Sequence, residues 1–565
     1  MTTAAKTLTE WSVKPSPPAE FIRTSENIPP LIATLLWHRG LTTEEAIQAF
    51  LNPDYEKHVP DPLLFRHMQK AVSRVVNAVN QSEKITVFGD YDADGVCGAA
   101  ILHEFLNKIG ALHEVYIPDR SSEAFGLSEK AVRGFHSGGA KLLITIDCGV
   151  TDYNEIELAN SLGIDTIVLD HHVVPPLWPN AYAIIDHKHP DETYPGHVLS
   201  GTGLSFKLVQ ALARYGNFGI PNGWEKWLLD LVAIAAIADM VPLTGENRAL
   251  THYGLTVLRK TKRIGLQQMF AIAGRNPRDA DTETISHFIA PRINAASRMD
   301  KAENALILLT TENEEEARYF ARRLEEKNGE RKLAVESMLE NLEKKIGASP
   351  LPTVIFEGSG DWTPGILGLA AARLVEKYCR PVFLYSANGE LIKGSCRSPE
   401  GIDVVGLMAK TADLFSDFGG HTMAGGFSIL PERLPLAKER LLNAGEEIGF
   451  SEEEKRIEAD AELSLDEIDE ATYKMVHTLE PFGQGNPRPL FLVRNAFIRD
   501  IRRVGGGNHI KMRLGERGVG AIYFRARQNG FGAGDRIDIL AELQENVWNG
   551  KRSIELRIIN ARNSS

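Results

Sequence analysis

The sequence predicts an α/β protein: a parallel-sheet unit, a long connecting helix, a second α/β unit and a small β-barrel at the C-terminal end. Three observations predict it. Apolar strands alternate with helical segments from about Lys84, a long charged run of helical periodicity follows Thr310, and short alternating segments separated by turn residues end the chain. At 565 residues the chain exceeds what one core fills, and a length of roughly 150 residues per domain implies about three or four units.

Residues 1–70 contain short apolar periodic stretches broken by Pro and Gly, among them LIATLLWHRG and EEAIQAFLNP, and read as a helical lead-in without evident chemistry. Residues 71–300 carry KITVFGD, GAAILHEFLNKIG, KLLITIDCG and DTIVLDHH, a strand–helix alternation that places helices on the faces of a parallel sheet. Leu and Ala recur at helical spacing through TENEEEARYFARRLEEKNGERKLAVESMLENLEKKIG, with Gly329 as the single interior breaker, so 301–347 is expected to be a connecting helix. TVIFEG, GILGLAAARLVEKY, PVFLYS and GGHTMAGG build the second α/β unit over 348–448. In 449–565 the segments HIKMRLG, AIYFRA, RIDILAEL and SIELRIINAR are separated by Gly, Asn and Asp turns, and an OB-type barrel fits them best.

Charged residues make up 24% and apolar residues 43% of the chain, the ordinary globular range. The net charge of −12 excludes a uniformly basic coat, yet from Arg494 to Ser565 there are 14 Lys and Arg against 7 Asp and Glu, a local charge of +7. Phe497, Tyr523, Phe524 and Trp548 lie in or beside these strands, where rings either stack on bases or fill the barrel. Cys97, Cys148, Cys379 and Cys396 show no CxxC spacing and are expected to be reduced, mostly buried thiols. No apolar run reaches the roughly 20 residues that span a bilayer, and MTTAAKTLTEWSVKPSPP lacks the apolar core of a secretory signal, so a cytoplasmic protein without a membrane partner is expected.

GDYDADG places Asp90, Asp92 and Asp94 directly after the strand KITVF and before a helix. A single Asp there would be read as a helix cap. Three acids within five residues repel one another unless a cation neutralises them. The pattern recurs at Asp147 after KLLITI and at Asp170, His171 and His172 after DTIVL, and strand tips are where open parallel sheets bind ligands. Asp239 ends the apolar helix LLDLVAIAAIADM, where an acid opposes the helix dipole unless a cation is near. Oxygen ligands with one or two imidazoles suit Mn²⁺ or Mg²⁺ better than structural zinc, and seven candidates exceed one octahedral ion, so two ions are expected. Asp147 is the candidate bridge, and His172 serves as a ligand or contacts the scissile phosphate. Such a pair of ions activates water for phosphodiester hydrolysis.

GDYDADG, IDCG, DHH and IADMVPLTGENR closely resemble the motifs of the DHH phosphoesterases. APRINAASRM, DWTPGILGLAAARLVEKYCRP, KGSCRS and GGHTMAGG resemble the DHH-associated domain, and PFGQGNPRPLF resembles the junction into the OB domain of the family's single-strand-specific exonucleases. The resemblance implies a 5′-to-3′ exonuclease that releases mononucleotides from single-stranded DNA in recombination and repair, with Mn²⁺ or Mg²⁺ as cofactor. It implies Asp90, Asp92, Asp94, Asp147, His171 and Asp239 as metal ligands with His172 beside them. It further implies Arg292, Asn294 and Arg298 against DNA phosphates, Ser395, Arg397 and Ser398 around the terminal 5′ phosphate, and His421 closing over the site. A single-strand binding protein and a helicase are the implied protein partners. Two departures concern substrate contacts: Ala124-Phe125 in place of a GYG-like loop, and Thr363 where a His usually follows the Trp. The competing readings are a DHH oligonucleotidase or cyclic dinucleotide phosphodiesterase, which lack the basic barrel, and a non-catalytic single-strand-binding scaffold, whose lost ligands are not seen.

Overall fold

The computed structural model describes residues 10–564 apart from 25, 121, 124, 174–176, 197, 348–350, 449–455, 527–529 and 549–550. Ala124 therefore lies outside the described residues, as does the Trp548 side chain.

The first sheet is parallel throughout, in the order His113–Tyr116, Lys84–Gly89, Ala140–Ile146, Asp165–Leu169, Ala183–Ile185. Chain order reverses at Lys84–Gly89, whose neighbours are the next strand in sequence on one side and the one after it on the other. That reversal opens a crevice between the tips of Lys84–Gly89 and Ala140–Ile146. The strands are buried on both faces, as their unbroken apolar runs require. Helices Ala93–Lys108, Gly201–Tyr215 and Leu229–Ala238 share one continuous core with them.

The connecting helix runs from Glu314 to Ile346, capped by Asn313, whose side chain accepts from the Glu315 and Glu316 N–H groups. Gly329 does not interrupt it. Residues 303–310 form a separate helix, so the connecting element is shorter than 301–347. The second sheet has five strands, in the order Phe415–His421, Ala424–Ile429, Ile392–Arg397, Val382–Ser386, Ile355–Ser359. The glycine-rich stretch becomes an antiparallel hairpin that pairs Gly419 with Gly426 and His421 with Ala424.

The C-terminal barrel closes through Phe491–Val504, His509–Leu514, Val519–Tyr523, Lys551–Asn563 and Arg536–Trp548, the last returning to the first. Its opening strand shifts register between Val493 and Ala496, with Asn495 at φ 53°, a bulge that breaks the apolar alternation and hides the strand from pattern reading. Phe497 and Phe524 stay exposed while Tyr523 is half-buried against the barrel core. Cys97, Cys148 and Cys396 are buried free thiols and Cys379 is exposed. Among the described residues no helix is long and apolar enough to cross a membrane.

The N-terminal residues have a structural task that their pattern did not disclose. Trp11–Val13 pairs in parallel with Ile457–Ala459, and Phe21, Ile32, Leu35, Leu36, Ile47 and Phe50 share one core with Phe491, Val493, Ile498 and Ile539 of the barrel. Arg248, 2% exposed, ties this assembly to the first domain. Its guanidinium lies over the Phe50 ring at 3.5 Å and donates to the carbonyls of Phe50 (2.7 Å), Leu479 (3.0 Å) and Glu480 (2.6 Å).

Candidate metal centre and phosphate cleft

Three chain segments bring carboxylates to the crevice. Asp90 follows Lys84–Gly89, and its N–H donates to the Ile146 carbonyl of the neighbouring strand. Asp92 caps Ala93–Lys108, accepting from the Asp94 N–H at 2.8 Å and the Gly95 N–H at 3.3 Å. The cap is thus both structural and a candidate ligand, since a carboxylate has further lone pairs. Asp94 points into the fold and accepts from the Gly201 and Thr202 N–H groups at 2.6 and 2.8 Å. Gly95 and Gly201 are required by packing: a Cβ would lie 2.3 Å from the Asp90 carbonyl oxygen at the first and 2.7 Å from the Asp147 Cβ at the second. Asp147 adopts φ 62°, a left-handed conformation that a non-glycine residue rarely takes, and its N–H donates to the Leu169 carbonyl.

These acids meet the two histidines. His171 Nε2 lies 3.0 Å from Asp147 Oδ1, 3.5 Å from Asp239 Oδ2 and 3.8 Å from Asp94 Oδ2. His172 Nδ1 lies 3.8 Å from Asp147 Oδ1. Ligand atoms fall within 4.8 Å of one another in three groups: Asp90–Asp92–Asp147, Asp147–His171–His172 and Asp94–His171–Asp239. Asp147 belongs to two of them and His171 to two.

Asp170, which the sequence placed at the strand tip without a role, holds both histidines. Its carboxylate accepts from the N–H groups of Val150, His171 and His172, and from His172 Nδ1 at 2.8 Å. Burial opposes the Asp170 charge, but the hydrogen bond and charge of His172 outweigh it and lower its pKa. The same bond raises His172 against the effect of burial and leaves Nε2 free to face the crevice. His171, more deeply buried, is lowered. Lys188 adds a further restraint, donating from Nζ to the His171 carbonyl at 2.5 Å.

The donor set fits divalent ions. Asp90 Oδ1 is buried with no hydrogen-bond partner. Burial, then the neighbouring Asp92, raises Asp90 well above the ordinary carboxylate range; burial, then Asp94, does the same to Asp147 and pushes Asp239 up to about 8. Cys148 turns its thiol to the Ile146 carbonyl, so the cluster offers oxygen and imidazole only. A raised pKa means the folded state holds the proton more tightly than the unfolded one. For Asp239 that stability is complete below the ordinary value of 3.8 and is lost as pH rises towards 8. Metal-free protein should therefore melt at a lower temperature at pH 8 than at pH 6, and Mn²⁺ should stabilise it more at pH 8. Equal stabilisation at the two pH values in a thermal melt would contradict the clustering.

The second domain faces this centre. His421, at the end of its hairpin strand, lies parallel to His172 with ring centroids 6.3 Å apart, and Phe125 meets His172 edge-on at 5.4 Å. Arg298 donates to the Gly365 carbonyl at 2.8 Å, and burial, then the nearby Arg120, lowers its pKa to about 10. Arg397 donates to Ser395 Oγ at 3.3 Å and to the Cys396 carbonyl at 2.7 Å. Thr363 caps Pro364–Tyr378 without a side-chain hydrogen bond. Arg120, stacked over Tyr91 at 4.8 Å, is a site residue that sequence reasoning passed over, although it ends the PDR tripeptide.

Three of the expected phosphate contacts also bond within the chain. Arg292 is buried, pairs with Glu325 at 2.6 Å and donates to the Phe288 carbonyl at 2.7 Å, which fastens Ala290–Met299 to the connecting helix. Asn294 accepts the Ala93 N–H at 2.8 Å and so steadies the Asp92–Asp94 turn. Ser398 is buried with its hydroxyl 2.6 Å from the Ile402 carbonyl and 3.2 Å from that of Thr422. Arg292 and Asn294 find these partners far along the chain, so the contacts are not visible in a short segment of sequence.

Residues 84–236 match the DHH family, N-terminal domain, 351–446 the DHHA1 domain and 459–560 the RecJ OB domain. The single-stranded-DNA-specific exonuclease RecJ of Bacillus subtilis is 35% identical over 544 residues, covering 95% of this chain and 68% of the relative. RecJ of Thermus thermophilus in complex with Mn²⁺ superposes with a TM-score of 0.84 at 30% identity, covering 98% of this chain and 80% of that one. The same protein in complex with Mg²⁺ superposes at 0.78 and 29% identity, covering 98% and 79%. With matched domains in this order and a relative of that identity over two thirds of its length, the chain belongs to the RecJ family of DHH phosphoesterases.

Proposed function

We propose that the chain is a divalent-metal-dependent exonuclease that removes mononucleotides from the 5′ end of single-stranded DNA in recombination and repair. The observation that carries it is the sharing of Asp147 and His171 among three ligand groups at the sheet crevice, with an arginine and serine cluster facing them from the second domain. Asp90, Asp92, Asp94, Asp147, His171 and Asp239 would hold two Mn²⁺ or Mg²⁺ ions, with Asp147 common to two of the ligand groups. Bound there, the ions would activate the attacking water and neutralise charge on the scissile phosphate and leaving oxygen. His172, held by Asp170, is aligned to contact the scissile phosphate, and His421 lies against it from the other side of the cleft. Arg298, Arg397 and Ser395, with Arg120, hold the terminal phosphate and so select the 5′ end; guanidinium forks suit that dianion. Arg292, Asn294 and Ser398 position this machinery instead of touching the strand.

The working division is 1–70, 71–300, 301–347, 348–448 and 449–565, with the first segment folded against the last. The basic barrel, carrying exposed Phe497 and Phe524, suits the strand downstream of the cut. It favours a long single strand over the short substrates of an oligonucleotidase, and the intact ligand set disfavours a non-catalytic scaffold. A cytoplasmic setting suits this substrate, as do two protein partners: a single-strand binding protein and a helicase that supplies unwound strand.

Single-stranded DNA labelled at one end or the other tests the polarity. With Mn²⁺ and a 5′-phosphorylated strand, a 5′ label is expected to leave at once as mononucleotide, while a 3′ label persists on progressively shorter strands and duplex ends resist. Release of the 3′ label first would overturn the reading.

A further inference from the structure

The arginines of the cleft do not stop at the terminal-phosphate cluster. Arg298 is fastened to the start of helix Pro364–Tyr378 through Gly365. Arg397 and Ser395 lie against the same helix at Gly368, where a Cβ would sit 2.9 Å from Arg397 Nη2 and 3.0 Å from Ser395 Oγ. Arg373 stands further along that helix and is exposed. Opposite is the connecting helix, packed against Pro364–Tyr378 through Val335, Met338, Ile366 and Ala370. It presents Asn328 and Arg331. Asn328 is 0% exposed; its Oδ1 accepts from Arg331 Nη2 at 2.9 Å, and its Nδ2 has no partner. Arg331 Nε is likewise buried without an acceptor. Among the described residues no carboxylate pairs with Arg331 or Arg373, whereas Arg292 beside them is neutralised by Glu325. Burial, then the charges of Arg373 and Arg292, holds Arg331 below its usual pKa.

Like charges with orphaned donors in a half-buried wall are costly unless an anion joins them. We propose that Asn328, Arg331 and Arg373 form a second anion subsite, next to the terminal-phosphate cluster, that takes the additional phosphates of a 5′-di- or triphosphorylated strand. The chemistry at the metal centre is unchanged: water attacks the first phosphodiester, the 3′ oxygen leaves with a proton, and the first product is a nucleoside 5′-triphosphate in place of the monophosphate. The inference rests on the reading that the 5′ phosphate sits at Arg298, Arg397 and Ser395.

Otherwise identical single strands ending in a 5′-monophosphate or a 5′-triphosphate separate the two. Failure of the wild-type protein to degrade the monophosphate strand from its 5′ end would refute the underlying reading. If it degrades that strand, the triphosphate strand should be degraded with similar kcat/KM. Arg373→Gln and Arg331→Gln should each lower the triphosphate-to-monophosphate ratio of kcat/KM by about tenfold, the worth of one charge-assisted contact. A purely structural role would lower both substrates together and leave the ratio where it was. Without metal, inorganic pyrophosphate should bind the wild-type protein more tightly than inorganic phosphate, measured calorimetrically, and Arg373→Gln should remove the difference. Rejection of triphosphate ends by the wild-type protein, or an unchanged ratio in both variants, would overturn the subsite.

Discussion

Asp147→Ala is expected to lower cleavage of 5′-phosphorylated single-stranded DNA by on the order of 10³-fold or more, about 4 kcal/mol of transition-state stabilisation. Asp147 is the carboxylate present in two of the three ligand groups, and it sits at φ 62° against Gly201 with its N–H committed to Leu169. Its removal takes a carboxylate from both of those groups, so excess Mn²⁺ should not restore the rate. The folded state should survive, because burial and neighbouring acids raise the Asp147 pKa and its charge opposes folding without metal. The expected signature is a variant at least as stable as wild type when metal-free but with most of its Mn²⁺-dependent stabilisation gone. Retained cleavage would remove Asp147 from the centre.

Arg248→Met should have the largest effect on stability, about 3 kcal/mol or more, because three carbonyls, two of them in buried bonds, lose a charged donor at once. Methionine keeps most of the volume, so the loss reads on hydrogen bonding and on the contact with Phe50. Burial, then the charge of Arg39, already lowers the Arg248 pKa to about 9, so the site tolerates this cation only because its donors are used. Chemical denaturation followed by fluorescence should show the N-terminal and barrel regions loosening before the first domain. An unfolding midpoint equal to wild type would deny Arg248 its linking role.

The candidate metal cluster was legible because its logic is local. Acids and histidines that follow apolar strands must gather at the end of a parallel sheet, and the charge cost of gathering them points to a cation. Asp90, Asp92, Asp94, Asp147, His171 and Asp239 all come together. The phosphate side was less legible because its logic is not local. Arg292 looked like an unpaired charge among small residues, but its partner Glu325 stands on the connecting helix, beyond any sequence window. Asn294 likewise accepts from the Ala93 N–H, and Ser398 reaches the Thr422 carbonyl as well as the nearby one of Ile402. Asp170 was visible but mute: nothing in DHH says that the first residue carries the other two. The N-terminal helices showed apolar faces, and a face alone does not tell what covers it.

That covering has a consequence for synthesis. The barrel strands that bury Phe21, Ile32 and Phe50 begin at Phe491, so these helices cannot complete their burial until strands far downstream have been synthesised. During that interval an apolar surface waits on contacts of very large sequence separation, which are slow to form and prone to mispairing. A chain arrested before the barrel would carry every candidate metal ligand together with uncovered, adhesive helices.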